Sequence, residues 1–185
     1  MTIAEHNRAV EGWVSIMNAK HAEVLIQQLG VLIVDDNLFM RKLVRGLLGS
    51  IGVKKTFEAG DGIAALDMIR SATPDVVILD WEMPLLNGPE LVRIVRSPSV
   101  FPMPDIPLIM LTAHGERRSI AESVKLGVNE FLCKPVSAKA LLDRLISILV
   151  KPRGSVHLGN YYGPVPRGPM IKLKFDSVGE SPTAA

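Results

Sequence analysis

The run VLIVDD (31–36) sets the fold class. Four consecutive apolar residues lead straight into two aspartates. An uninterrupted apolar strand is buried on both faces, the mark of a parallel sheet covered by helices. Downstream, Leu38, Met40, Leu43, Val44, Leu47 and Leu48 recur at helical spacing, with Arg41, Lys42 and Arg45 on the other face. The same alternation continues. KKTFEA (54–59) is a weaker strand candidate, and DGIAALDMIRSA (61–72) reads as a helix stopped before Pro74. VVILD (76–80) is the next buried run, and after a Pro/Gly loop Pro89 suits a first helical position ahead of ELVRIVR (90–96). PLIMLT (107–112) is a fourth strand. Glu116 to Leu126 is a helix candidate stopped by Gly127, and NEFLCK (129–134) is a fifth strand. Ala138 to Val150 is amphipathic, with Leu141, Leu142, Leu145, Ile146 and Leu149 on one stripe. Strand and helix thus alternate through the region, which predicts a doubly wound α/β domain with right-handed crossovers.

Composition agrees. The chain has 185 residues, 48% apolar and 22% charged, ordinary fractions for a soluble globular protein. One cysteine excludes an intrachain disulfide and a four-cysteine zinc site. A net charge of +2 gives no sign of a nucleic-acid binder. No apolar stretch approaches the ~20 residues of a membrane span. The N-terminus is polar and mixed in charge, unlike a signal peptide, so the expected location is cytoplasmic.

Three segments are expected: an N-terminal extension (1–29), the patterned domain (30–150) and a Gly/Pro-rich tail (151–185). Five bases against two acids give the tail a charge of +3, while the central segment is neutral, with 14 of each. In residues 1–29, Val10, Trp13, Val14, Met17, Val24, Leu25 and Gln28 fit a helical stripe, either packed on the domain or open to a partner. The tail is too small for a DNA-binding domain with its own core. It is either a disordered solubilising segment or a strap that docks on a partner or on its own domain.

In doubly wound folds, ligands bind beyond the carboxyl ends of the strands. There the runs end in Asp35–Asp36, Asp80, Thr112 and Lys134. Three carboxylates on one edge repel each other, and a divalent cation would relieve that repulsion. Hard oxygen ligands on a wet edge favour Mg²⁺. A hydroxyl and an ammonium facing the same point can hold an anion. Each residue alone has a plainer reading: Asp36 as a helix N-cap, Asp80 as a turn starter, Thr112 as a strand-end hydroxyl, Lys134 as a surface charge, Phe131 as core. Their convergence on one edge is what argues for a site holding a metal, a carboxylate nucleophile and a phosphoryl group. Cys133 reads as a small core residue.

Residues 30–150 resemble a receiver domain of the bacterial response-regulator family. The resemblance is carried by VLIVDDN, EAGDGIAAL, VVILDWEMPLLNG, IPLIMLTAH and EFLCKP, in the family's order and at its spacings. It implies a five-stranded parallel sheet of order 2-1-3-4-5, with Asp80 as the phosphoacceptor. It further implies direct Mg²⁺ ligation by Asp36, Asp80 and the main-chain carbonyl of Glu82, with Asp35 acting through water. Lys134 would pair with a phosphoryl oxygen, followed by a cis peptide bond to Pro135. Thr112 would hydrogen-bond the phosphoryl group, Phe131 would be the aromatic switch, and Glu82 and His114 would tune the phosphoryl lifetime. The implied partners are a histidine kinase or histidine phosphotransfer protein, or a second copy of the chain through the 115–150 face or the N-terminal helix, with no DNA or membrane contact. The implied output is a protein contact rather than catalysis on a substrate. A phosphorylation-independent scaffold is the first alternative. An aspartyl-nucleophile phosphohydrolase is the second; it fits worse, since adjacent Asp35–Asp36 and distant Asp80 lack the spacing of such enzymes. The piece YYGPVPRG is similar to Tyr-aromatic-Gly-Pro tails on some stand-alone receivers.

Overall fold

The computed structural model describes residues 22–113, 124–150 and 152–166. Its main sheet contains β1 (Gly30–Val34), β2 (Lys55–Ala59), β3 (Val76–Asp80), β4 (Leu108–Thr112) and β5 (Glu130–Cys133), all parallel and ordered β2-β1-β3-β4-β5. Helices α1 (Leu38–Ser50), α2 (Gly62–Ala72), α3 (Gly88–Val95) and α4 (Ala138–Val150) connect or follow the strands. Residues 22–28 and 124–126 are also helical.

The period-2 geometry of strands explains the continuous apolar runs. Leu32, Val34, Val77, Leu79, Leu108 and Met110 face α2 and α3, where they meet Ala65, Ile69, Leu91, Val92 and Val95. Val31, Ile33, Ile78, Ile109, Leu111 and Leu132 point the other way, onto Val44 and Leu48 of α1 and Leu141 and Leu145 of α4. Both faces are covered, so every residue of β1, β3 and β4 is buried.

Local polar groups set where the helices begin. The Asn37 side chain accepts hydrogen bonds from the N–H groups of Phe39 (2.9 Å) and Met40 (3.4 Å), so the cap of α1 is Asn37 and not Asp36. Asp61 caps α2 by accepting from Ala64 N–H at 2.8 Å. Asn87 and Glu90 form a reciprocal capping box, placing Gly88 at the first position of α3, ahead of Pro89.

Three packing expectations need correction. On α1 only Val44 and Leu48 are buried, and Leu38 and Leu43 are exposed. Arg41 is turned inward to β1 and β2, because its guanidinium finds Glu58 and the Asp35 carbonyl there. In residues 22–29 the buried face is Ala22, Ile26 and Leu29, while Val24 is exposed. Ile26 and Leu29 belong to the core that also holds Val31, so the packed body starts before Gly30. Val10, Trp13, Val14 and Met17 lie outside the described residues. Cys133 is exposed. It is the last residue of β5, which among the described residues pairs with β4 alone.

Beyond α4, β6 (Ser155–Leu158) and β7 (Tyr161–Pro164) form an antiparallel hairpin with Leu158 opposite Tyr161. The two-residue turn is Gly159-Asn160, and Gly159 has φ 57°, a conformation glycine takes at little cost. The hairpin lies on the main body: Tyr161 is buried, and the Tyr162 hydroxyl donates to Asp105 Oδ1 at 2.7 Å.

Candidate functional site: an acidic pocket with one lysine

The carboxyl ends of the parallel strands place the expected residues together. Asp35 and Asp36 follow β1, Asp80 ends β3 and Lys134 follows β5. Thr112 ends β4 and is buried; its carbonyl accepts from Lys134 N–H at 2.8 Å, which fixes where the lysine leaves the sheet. Carboxylate oxygens of Asp35, Asp36 and Asp80 all lie within 4.8 Å of one another. They line a cavity of about 650 Å³ with Glu82, Trp81 and Lys134.

Each acid is held differently. Asp35 is 1% exposed. Its Oδ1 accepts from Asn37 N–H at 2.9 Å and its Oδ2 meets Lys134 Nζ at 3.2 Å. Asp36 is exposed on the rim. Asp80 is 7% exposed, and its Oδ1 takes both Trp81 N–H (2.9 Å) and Lys134 Nζ (3.0 Å). Burial raises the pKa of Asp80 above the ordinary carboxylate value; the hydrogen bond and charge of Lys134 work against this, and the charge of Asp35 adds to it. Burial also opposes the Lys134 ammonium, but Asp80 and Asp35 outweigh it, and the pKa of Lys134 is raised.

The loop after β3 folds back over the acid it follows. Gly88 N–H donates to the Trp81 carbonyl at 3.0 Å, and a Cβ on Gly88 would lie 2.3 Å from the Asp80 carbonyl oxygen. Only glycine fits there. Arg41, which the sequence pattern put on an outer face, reaches the carbonyls of Asp35 (2.8 Å) and Asp36 (3.3 Å) and so braces the acidic turn. Its place one turn after the Asn37 cap was the available signal.

Glu82 lies on the pocket wall, exposed. Phe131 is not in the pocket. It is half-buried in β5, with the Arg144 guanidinium 5.9 Å from its ring centre, and it lines a second cavity of about 220 Å³. The Lys134–Pro135 bond is cis. His114 and part of the 115–150 face lie outside the described residues.

The donor set suits a hard divalent cation. Three carboxylates and one ammonium leave two negative charges at a partly open site, and all the anionic ligands are oxygens. Asp35–Asp36 and Asp80 come from different strands, so the acids converge through the fold rather than through a local motif.

The strand order reverses between β1 and β3, and the acids sit at that reversal. The molecule is therefore a doubly wound α/β protein with a charged-ligand pocket at its switch point. A family model described as the response regulator receiver domain matches residues 31–146, and the chain belongs to that family. It is similar to the chemotaxis protein CheY-3 of Vibrio cholerae, 36% identical over 68% of this chain and 95% of the relative. It is equally similar to the chemotaxis protein CheY of Pseudomonas aeruginosa, 36% identical over 67% of this chain and 98% of that one. Among solved structures, the Vibrio cholerae chemotaxis response regulator CheY4 aligns with a TM-score of 0.56 at 33% identity, covering 63% of this chain and 95% of that one. The receiver domain of the Francisella response regulator 1452 aligns with a TM-score of 0.60 at 29% identity, covering 67% and 100%. The chain thus carries a two-component receiver domain, a signalling module rather than a conventional enzyme. Among the described residues no helix is long and apolar enough to cross a membrane.

Proposed function

We propose that Asp80 accepts a phosphoryl group from the phosphohistidine of a histidine kinase or a histidine phosphotransfer protein, and that the phosphorylated chain signals through protein contacts. The observation that carries this is the meeting of three carboxylates and one ammonium at the strand edge. Both oxygens of Asp35 are engaged, whereas among the described residues the polar contacts of Asp80 both fall on Oδ1. That leaves Asp80 Oδ2 for the incoming phosphorus. An O–P bond forms, the N–P bond of the donor breaks, and the departing imidazole keeps the electron pair and takes up a proton.

Asp36, Asp80 and the Glu82 carbonyl would hold Mg²⁺ directly, and Asp35 would hold it through water. The ion, when bound, supplies positive charge between the nucleophile and the phosphoryl oxygens. Lys134 holds one phosphoryl oxygen and Thr112 another. Phe131 then changes position and alters the face that partners read. Glu82 and His114 set the rate at which water removes the group. A protein donor is favoured over a small substrate by the apolar rim. Leu38, Phe39, Ile63 and Leu85 are exposed at the helix starts and the loop on this edge. Residues 30–150 are the proposed receiver unit, with Ile26 and Leu29 of the preceding segment packed into its core; the proposed setting is the cytoplasm, and output involves neither DNA nor membrane. Self-pairing through the 115–150 face or the N-terminal segment belongs to the same proposal.

The test is intact-mass analysis after incubation with Mg²⁺ and acetyl phosphate, with size-exclusion chromatography alongside. Wild type gains one phosphoryl group and Asp80→Asn gains none. An unmodified wild type that also fails to bind Mg²⁺ overturns the proposal in favour of a scaffold.

A further inference from the structure

The C-terminal hairpin is built onto the segment that leads into β5. A Cβ on Gly163 would lie 2.7 Å from Gly127 Cα, so the two backbones touch. Arg153 donates to the carbonyls of Val165 (2.9 Å) and Asn129. From the other side, Arg96 donates to the Gly127 carbonyl at 2.8 Å and to Asn129 Oδ1 at 2.8 Å. The turn Gly127–Asn129 is therefore clamped between the end of α3 and the hairpin.

The clamped turn leads directly into the strand that serves the phosphoacceptor pocket. Glu130–Cys133 is β5, Phe131 lies within it, and Lys134 follows it into the acidic pocket. Four residues of strand span only about 13 Å. Tyr161, Pro164 and Pro166 of the hairpin segment face Phe131, Val124 and Val128 across the second cavity. A shift of β5 along or across the sheet carries Asn129 with it, and so strains its hydrogen bonds with Arg153 and with Arg96, which also holds the Gly127 carbonyl beside Gly163.

We propose that the hairpin is a brake: an intramolecular clamp whose docking and the phosphorylation of Asp80 weaken each other. This rests on Asp80 being the acceptor. The undocked population is the one that reacts, so whatever loosens the hairpin speeds phosphorylation in proportion to that population, and by linkage phosphorylation in turn loosens the hairpin. A partner that pulls residues 155–164 away from the turn would release the receiver.

The experiment uses the full chain with Mg²⁺ and acetyl phosphate, following phosphoryl uptake by intact mass and hydrogen exchange of residues 129–133 and 155–164. Gly163→Ala forces the two backbones apart. It should speed exchange in the hairpin and, by enlarging the reactive undocked population, raise the phosphorylation rate at least about fivefold. Tyr162→Phe removes one surface hydroxyl and should give a smaller change in the same direction; it carries the comparison if Gly163→Ala does not fold. Wild type should lose protection at 155–164 once phosphorylated. Equal rates in all three proteins despite a loosened hairpin, or unchanged hairpin protection in the phosphorylated wild type, overturn the brake and leave the receiver reading intact. Absence of any adduct on wild type is a different failure: it removes the acceptor reading and the brake with it.

Discussion

Lys134 Nζ stands 3.0 Å from Asp80 Oδ1 while also reaching Asp35 Oδ2 at 3.2 Å, so one ammonium is shared between two buried carboxylates. It does not fully compensate them, since burial still holds the Asp80 pKa above its ordinary value. A carboxyl raised in this way favours folding when protonated. The benefit is complete below the ordinary carboxylate pKa and is lost as the pH rises through the raised value. At neutral pH the ionised Asp80 therefore costs stability. Asp80→Asn should stabilise the protein by about 1 kcal/mol at pH 7 and flatten the decline in stability with rising pH. Lys134→Met should cost about 2 kcal/mol, below the range for fully buried pairs because the lysine side chain is 22% exposed. Urea titrations at several pH values measure both; a destabilised Asp80→Asn would contradict the charge argument.

Metal binding should act on the same imbalance. At a Mg²⁺ concentration ten times its dissociation constant, the folded state should gain about 1.4 kcal/mol at pH 7. Trp81 lines the cavity and its main-chain N–H donates to Asp80, so the indole stands beside the metal site and its fluorescence should change with the titration. Asp36→Asn should weaken both responses at least about tenfold in Mg²⁺ concentration. A thermal-shift titration with wild-type response in that variant would remove Asp36 from the ligand set.

The legible parts of the sequence were those where one physical cause dominates. Burial on both faces makes β1, β3 and β4 plain, and the strand-end rule alone places Asp35, Asp36, Asp80, Thr112 and Lys134 on one edge. Where two causes compete, pattern misleads. Arg41 has the spacing of a solvent-facing residue, yet Glu58 and two carbonyls draw it in. Cys133 sits in an apolar strand but at the exposed end of a sheet edge. The Gly/Pro content of the tail obscured SVHL-GN-YYGP, in which two short runs flank a two-residue Gly-Asn turn, a recognised hairpin signal. Its docking depends on Gly127 and Asp105, partners no local pattern reveals.

Arg96 is the buried cation of the opposite end of the domain. Its guanidinium donates to the carbonyls of Gly127, Pro104 and Ile106 and to Asn129 Oδ1. Burial lowers its pKa to about 10, so it remains charged at neutral pH. A lysine can place one ammonium but cannot fork to four acceptors. Arg96→Lys should therefore cost about 3 kcal/mol, most of it from carbonyls left unpaired in the interior. Denaturant unfolding measures this, and a loss under about 1 kcal/mol would mean the loop can resatisfy those carbonyls by other means.

The hairpin should have its own pH window. Hydrogen bonds from Ser155 and Tyr162 hold the Asp105 carboxyl below its ordinary value of 3.8. The same bond to Asp105 leads the causes that raise the Tyr162 phenol above its ordinary 10.0. For Asp105 the docking contribution is complete above the ordinary pKa and is lost as the pH falls through the depressed one. For Tyr162 it is complete below the ordinary pKa and is lost as the pH rises through the raised one. Docking should thus be flat between about pH 5 and pH 9 and weaken on both sides. Tyr162→Phe should shrink the alkaline limb and blunt the acid limb, because its ring can still pack but has no proton to give; the alkaline remainder belongs to buried Tyr161, whose phenol is raised by burial. Protease cleavage near Arg153, followed across pH in native protein, reads the window. An alkaline limb of undiminished size in Tyr162→Phe would remove Tyr162 from it, and an acid limb that survives in Asp105→Asn would do the same for the carboxyl.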